Sequence, residues 1–181
     1  PRRLPGDDVP ARLSIRGEIL FPLAAFEAVN AERVRRGEKP FENPRNSAAG
    51  TVRQLDPSTT AERALAFIAH SFGEEDASLG ETHSDMLSRL DRWGVPVNER
   101  NVRAAGPDAV WAAIGALGEA RHTLPYEIDG AVVKVDPVKL QRKLGFVTRS
   151  PRWALAFKFP PAQRPTRLEN VGFQVGRTGA V

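Results

Sequence analysis

Two lysines on apolar, strand-like runs are the residues of this chain best placed to do chemistry. One closes Tyr126-Glu127-Ile128-Asp129-Gly130-Ala131-Val132-Val133-Lys134, and the other lies in Trp153-Ala154-Leu155-Ala156-Phe157-Lys158-Phe159. An unpaired buried ammonium is costly, so an amine carried on such a run asks for an anionic partner. Period-2 alternation puts Trp153, Leu155, Phe157 and Phe159 on one face of the second run and Ala154, Ala156 and Lys158 on the other. This predicts bulky packing behind the strand and open space around Lys158. Such a floor suits a nucleotide phosphate or a carboxylate substrate.

The elements that must position these amines alternate along the chain. Leu13 to Phe21 reads as a strand, with Ser14, Arg16 and Glu18 on one face and Leu13, Ile15 and Ile19 on the other. Glu18 is then a carboxylate standing on a sheet. Pro22 suits the first turn of a helix carrying Leu23, Phe26 and Val29, which Gly37 can close. The polar Asn43-Pro44-Arg45-Asn46 leads into a short helical or looped piece, Ser47 to Leu55, ended by Asp56-Pro57. Leu65 to Phe72 reads as a buried strand. One helix with Met86, Leu87, Leu90 and Trp93 inward stops at Gly94, and another with Val110, Trp111, Ile114 and Leu117 stops near Gly118. Both Trp93 and Trp111 are assigned to core packing. After the Lys134 strand comes a short helix, Val138 to Leu144, closed by Gly145, and then the Lys158 strand. Pro160-Pro161 and the polar Gln163 to Arg167 mark a domain boundary, beyond which Leu168 to Val175 and Gly176-Arg177-Thr178-Gly179 begin something new.

Composition excludes several classes. With 181 residues the chain can bury a real core, and no apolar run approaches the roughly 20 residues that span a bilayer. Cysteine is absent, which removes disulfides and thiolate metal sites. His70, His83 and His122 show no ligand spacing and are expected to be satisfied or exposed. The net charge of +4 points weakly toward a polyanion, and the excess of arginine over lysine also fits a bias in codon composition. The first residues lack an initiator methionine and the apolar core of a signal peptide, so an excised piece of a longer protein is expected.

Five ordered blocks resemble the bacterial NAD-dependent DNA ligases. They are Ile15-Arg16-Gly17-Glu18-Ile19, the long block from Asn43-Pro44-Arg45-Asn46 to Asp56, Leu124 to Lys134, Pro151 to Pro160, and Val175 to Ala180. The resemblance implies an α+β fold of the nucleotidyltransferase kind shared by ligases and capping enzymes, ATP-grasp-like, with antiparallel and mixed sheets and a nucleotide cleft. Residues 1–162 would be the C-terminal part of the adenylation domain, and 163–181 a linker and the first strand of an OB-fold. The activity implied is the sealing of single-strand nicks in duplex DNA through lysine-AMP and DNA-adenylate intermediates, with NAD consumed and Mg2+ assisting, or Mn2+ in its place. Zinc would belong only to parts of the parent outside this chain.

The carry-over to individual residues is narrow. Glu18 matches the glutamate that contacts the adenosine part of NAD; from spacing alone, a rim pair with Arg16 is the competing reading. Lys134 and Lys158 match the two lysines lining the nucleotide pocket, and Asp129 an aspartate near the active site, against simple turn formation at Asp129-Gly130. Arg45, Arg53 and Arg121 resemble arginines placed along the DNA strand or near the reacting phosphates, where a guanidinium fork positions backbone without reading sequence. An ion pair of Arg53 with Asp56 is the local alternative.

The nucleophilic lysine of the family's Lys-x-Asp-Gly motif is absent. None of Lys39, Lys134, Lys139, Lys143 and Lys158 precedes x-Asp-Gly, and Glu127 stands where that lysine would be. The chain alone is therefore expected to be catalytically incomplete. No glycine-rich phosphate loop is present, so the nucleotide would be held by side chains on strands. Nicked double-stranded DNA is the expected partner, with no membrane, a monomeric state and a cytoplasmic, nucleoid-associated location. The metal ligands are left unknown. An ATP-dependent ligase or capping enzyme would share the three strand blocks but not the long Asn-Pro-Arg-Asn block. A non-catalytic nucleic-acid-binding module would leave the two strand lysines without a purpose.

Overall fold

The computed structural model describes residues 4–6, 8–73, 80–148, 150–161 and 165–179. The ends of two of the expected segments, Ala180 and the start of the boundary at Gln163, lie outside them. In chain order the elements are β1 (Ile15–Leu20), α1 (Leu23–Arg35), α2 (Pro44–Val52), α3 (Pro57–Ala61), β2 (Ala66–Phe72), α4 (His83–Arg92), α5 (Pro107–Ala120), β3 (Gly130–Lys134), α6 (Val138–Leu144), β4 (Phe146–Val147), β5 (Ser150–Pro151) and β6 (Ala154–Lys158). The class is α+β, with the strands gathered into three antiparallel two-stranded ladders, β1–β2, β3–β6 and β4–β5. The expected mixed sheet is not found among the described residues. The parallel contact they contain is the isolated bridge between Ala69 and Val97.

The main core forms where α4 lies on β2. Leu90, Met86 and Trp93 supply the helix side, and Ala69 and Phe72 the strand side. Trp93 is almost wholly buried, and its indole N–H reaches Oδ1 of Asp8 at 2.8 Å, so the one polar atom of the ring is satisfied. Thr82 caps α4 by accepting from the Asp85 amide. From outside the helix, Asp136 takes the Ser84 amide at 2.8 Å and its hydroxyl at 3.0 Å. The start of α4 is thereby docked to the residues that follow β3.

Helix α2 begins earlier than the polar pattern suggests. Asn43 is its N-cap, accepting from the Asn46 amide at 3.0 Å, and Pro44 opens the first turn, where its missing N–H costs nothing. Arg45 therefore stands on the first turn of a helix, not on a loop before one. Asp56 likewise caps the short α3, which the pattern did not distinguish from a loop.

Two expectations about packing are corrected, those for Trp111 and Leu155. Trp111 is 63% exposed and meets the ladder only edge-on, against Phe157 at 5.3 Å, because α5 covers β3–β6 over part of its face. Leu155 is 70% exposed for the same reason, and Ile19 faces an open groove beside α2 in place of a second layer. Helix α5 also runs past Gly118, which packs against the Phe159 ring. Residues 168–175 form no ladder with the described residues, and Leu168, Val171, Phe173 and Val175 are exposed. No helix among the described residues is long and apolar enough to cross a membrane.

Candidate functional site

Four residues from four of the sequence blocks converge. Arg45 spreads its guanidinium between two carboxylates, with Nη1 at 3.2 Å from Oδ2 of Asp129 and Nη2 at 3.5 Å from Oε1 of Glu18. Lys158 Nζ donates to the same Oδ2 of Asp129 at 2.8 Å. Lys158, and then Arg45, hold the Asp129 carboxyl below the usual carboxylate range. All four side chains are more than half exposed. Pairs this wet contribute about 0–1 kcal/mol each, so the network is weak as a source of stability and its members can re-pair with an incoming charge.

The backbone explains why they meet. In β3–β6 the Cα partners are Gly130 with Lys158, Val132 with Ala156 and Lys134 with Ala154, which puts both lysines and the small residues on one face, as the alternation predicts. The Phe159 amide donates to the Asp129 carbonyl at 2.9 Å, extending the ladder by one step. Asp129-Gly130 is thus the start of a strand, and the turn reading is set aside. Gly130 allows an unusually close approach: a Cβ there would lie 2.1 Å from the Phe157 carbonyl oxygen. On the other side, the buried small residues Ser47, Ala48 and Thr51 let α2 lie close on β1. An open groove of about 360 Å3 results, lined by Gly17, Glu18, Ile19, Arg45, Ala48 and Arg53 among others. Glu18 pairs with Arg45 and not with Arg16. Arg53 caps the end of α2, and Asp56, its expected local partner, is engaged as the cap of α3.

Lys134 lies on the same face but outside this network. About four residues along the strand separate it from Lys158, roughly 14 Å between Cα atoms. The sequence showed no sign of what holds it. The β1–β2 register jumps between Arg16 and Gly17, which pair with Ser71 and Ala69, so His70 is the extra residue of a bulge. Its freed carbonyl accepts Lys134 Nζ at 2.8 Å and His83 Nε2 at 3.0 Å. In donating to that carbonyl, Nε2 carries the ring proton, and Lys134 Nζ lies 3.3 Å from the same nitrogen. Burial, and then the Lys134 charge, push the His83 pKa down to about 4, which keeps the ring neutral at ordinary pH.

Burial also pushes Lys134 down to about 8. Its charge is present below that pH and is lost as pH rises through it. Because the unfolded chain holds the proton up to the ordinary lysine value, the buried ammonium weakens the fold below about 8, and this cost fades as pH rises from there. Amine-labelling rates of Lys134, followed by peptide mass spectrometry, should show a midpoint near 8 in the folded protein and an ordinary lysine midpoint in urea. Equal midpoints would remove the burial argument.

Arg121 stands apart. Its Nη1 donates to the Pro160 carbonyl at 3.1 Å and its guanidinium lies 5.8 Å from the Phe159 ring centroid, tying the end of α5 to the exit of β6. A separate depression of about 490 Å3 on α4, lined by Glu81, Asp85 and Arg89 among others, holds none of the predicted site residues. No cluster of three or more His, Asp or Glu that could hold a metal occurs among the described residues.

An α+β domain thus gathers an arginine from a helix, a lysine from a strand and two carboxylates beside an open groove. Residues 1–162 match the model of the NAD-dependent DNA ligase adenylation domain, and the chain belongs to that family. It is similar over its whole length to proteins named DNA ligase: 49% identical to one from Magnetococcus marinus, covering 24% of that protein, and 51% identical to one from Paramagnetospirillum magneticum, covering 26%. A DNA ligase from Trichlorobacter lovleyi is 46% identical, again with 26% covered. The chain spans about a quarter of the length of these relatives.

Proposed function

We propose that this chain is the nucleotide-holding part of a ligase that uses NAD to seal nicks in duplex DNA, and that it lacks the attacking lysine. Convergence of Glu18, Arg45, Asp129 and Lys158 carries the reading, because residues from four separate blocks form one charged site beside an open groove. The donor set fits the adenylate half of NAD. Glu18 offers acceptor oxygens to ribose hydroxyls, Lys158 and Lys134 offer positive charge to the adenylyl phosphate, and Val132, Ala154 and Ala156 leave apolar room between them. NAD supplies the activated adenylyl group. The residues here bind it, orient it and stabilise the charge that builds on phosphorus, and Asp129 holds Lys158 in direction until a ligand competes for it. Magnesium fits no cage among the described residues, since both Glu18 and Asp129 face cations, and no step is assigned to it.

Arg45 and Arg53 are proposed to meet the DNA backbone at the groove. Arg121, occupied by the Pro160 carbonyl, fits that role least. Arg53→Ala should weaken nick binding and lower the slope of log K against log salt by about one, while sparing reaction with NAD. Unchanged binding would return Arg53 to surface decoration. Residues 165–179 are proposed to lead into an OB-fold, which the exposed alternation of Val171, Phe173 and Val175 supports. A monomer in the bacterial cytoplasm completes the reading.

The test is the intact mass of the full-length protein after incubation with magnesium and either NAD or ATP. An adenylate adduct with NAD alone supports the proposal. An adduct with ATP alone moves the protein to the ATP-dependent class, and no adduct with either leaves a binding-only descendant.

A further inference from the structure

We propose that Asn30 is a positioning residue: by clamping the backbone of Phe41 it fixes where α2 begins, and so where Arg45 and Arg53 point, while touching neither. The proposal about direction rests on the ligase reading only for its DNA readout.

Asn30 lies on α1, half-buried, eleven residues before Phe41. Its Nδ2 donates to the Phe41 carbonyl at 2.9 Å and its Oδ1 accepts the Phe41 amide at 2.7 Å. One side chain thus satisfies both backbone groups of a loop residue, as a neighbouring strand would. Phe41 is held from the side as well, with the guanidinium of Arg33 at 4.2 Å from its ring centroid and that of Arg63 at 5.1 Å. Two residues on, Asn43 caps α2, and Arg45 follows two residues later with its fork on Glu18 and Asp129. The far end of α2 is pinned by the same device: Arg63 Nη1 donates to the buried hydroxyl of Thr51 at 2.5 Å, and the Thr60 hydroxyl to the Thr51 carbonyl at 2.9 Å.

Alternative uses of Asn30 are not supported by its surroundings. Both ends of its amide are taken by Phe41, and Glu38 and Lys39 beside it are bound to Arg33. The clamp is also more than a loop closure, because the α1–α2 connection already has Arg33 bonded to the Lys39 carbonyl at 2.9 Å. What Asn30 adds is the placement of the two residues that precede the cap.

The experiment uses the full-length protein and a fluorescent nicked duplex. Asn30→Ala should weaken nick binding by roughly fivefold to tenfold, the effect of losing a pair of half-buried hydrogen bonds, and should reproduce the lowered salt slope of Arg53→Ala. In an Arg45→Ala, Arg53→Ala background the same change should weaken binding no further, since the residues it positions are gone. An equal loss in both backgrounds, or no loss in either, overturns the proposal. If Asn30→Ala does not fold, Asn30→Asp, which keeps the acceptor for the Phe41 amide, carries the same comparison. Hydrogen exchange of the Asn46 and Ser47 amides gives a readout that does not depend on DNA: both should exchange roughly tenfold faster in the variant. Unchanged protection overturns the clamp itself. If wild type shows the clamp but no affinity for nicks, the ligase reading fails and the positioning inference stands.

Discussion

Lys158→Ala in the full-length protein should slow formation of the NAD-derived adenylate by on the order of 10²-fold or more, the effect of deleting one donor aimed at developing charge. The backbone gives little reason for any other outcome. Lys158 is an exposed side chain whose Cα pairs with Gly130 through backbone bonds that alanine keeps, so the strand should survive the change. Two of its neighbours would respond. Asp129 would lose the partner that most lowers its pKa, and Arg45 would hold it alone. Lys158→Arg is the informative companion, because a broad planar fork replaces a compact point charge: part of the rate should return, and not all of it. Single-turnover adenylation followed by intact mass checks the prediction. Wild-type rates in Lys158→Ala would sink the assignment of this amine.

Gly130→Ala should cost nearly as much, by a different route. The added carbon would lie 2.1 Å from the Phe157 carbonyl oxygen and 3.0 Å from the Lys158 Cα, well inside contact distance and against backbone that cannot swing aside. The β3–β6 ladder must open at the point where Asp129 meets Lys158. Strain of this kind typically costs about 1–3 kcal/mol, which lowers Tm by roughly 2–10 °C in a domain of this size. A shift near 1 Å at a reacting group can cost on the order of 10²-fold in rate. Calorimetry and adenylation measured on the same sample would separate the two effects. A variant with unchanged Tm and unchanged rate would show that the close approach at Gly130 is immaterial.

Much of this was legible from local pattern. Helix α6 appears where its apolar spacing and closing glycine put it, and the shared face of Lys134 and Lys158 follows from period 2 once the strands pair. The site residues could be named because their blocks resemble a family, while their mutual contacts could not. Arg45 meets Asp129 across 84 positions of sequence, and no periodicity reports a contact of that span. The misjudged residues have one physical cause. Trp111 and Leu155 have the chemistry of core residues, but burial depends on what lies opposite, and two-stranded ladders leave parts of their faces uncovered. The start of α2 is a subtler case. Asn43-Pro44 has the form of a cap followed by a first-turn proline, and reading it as a loop overlooked that signature. The bulge at His70 gave no signal at all, because nothing in the alternation of β2 marks where its partner falls out of step.

Under the role proposed for Lys134, the bulge also sets what would follow if a nucleotide drew that amine off the His70 carbonyl. A carbonyl oxygen has two lone pairs, and the one at His70 uses them for two donors from different parts of the chain, Lys134 and His83. In that event the His83 bond to the same carbonyl would remain, and β2 and α4 would stay joined through it and through their shared core. The arrangement works as a berth with its own mooring: the vessel can leave and return without loosening the quay.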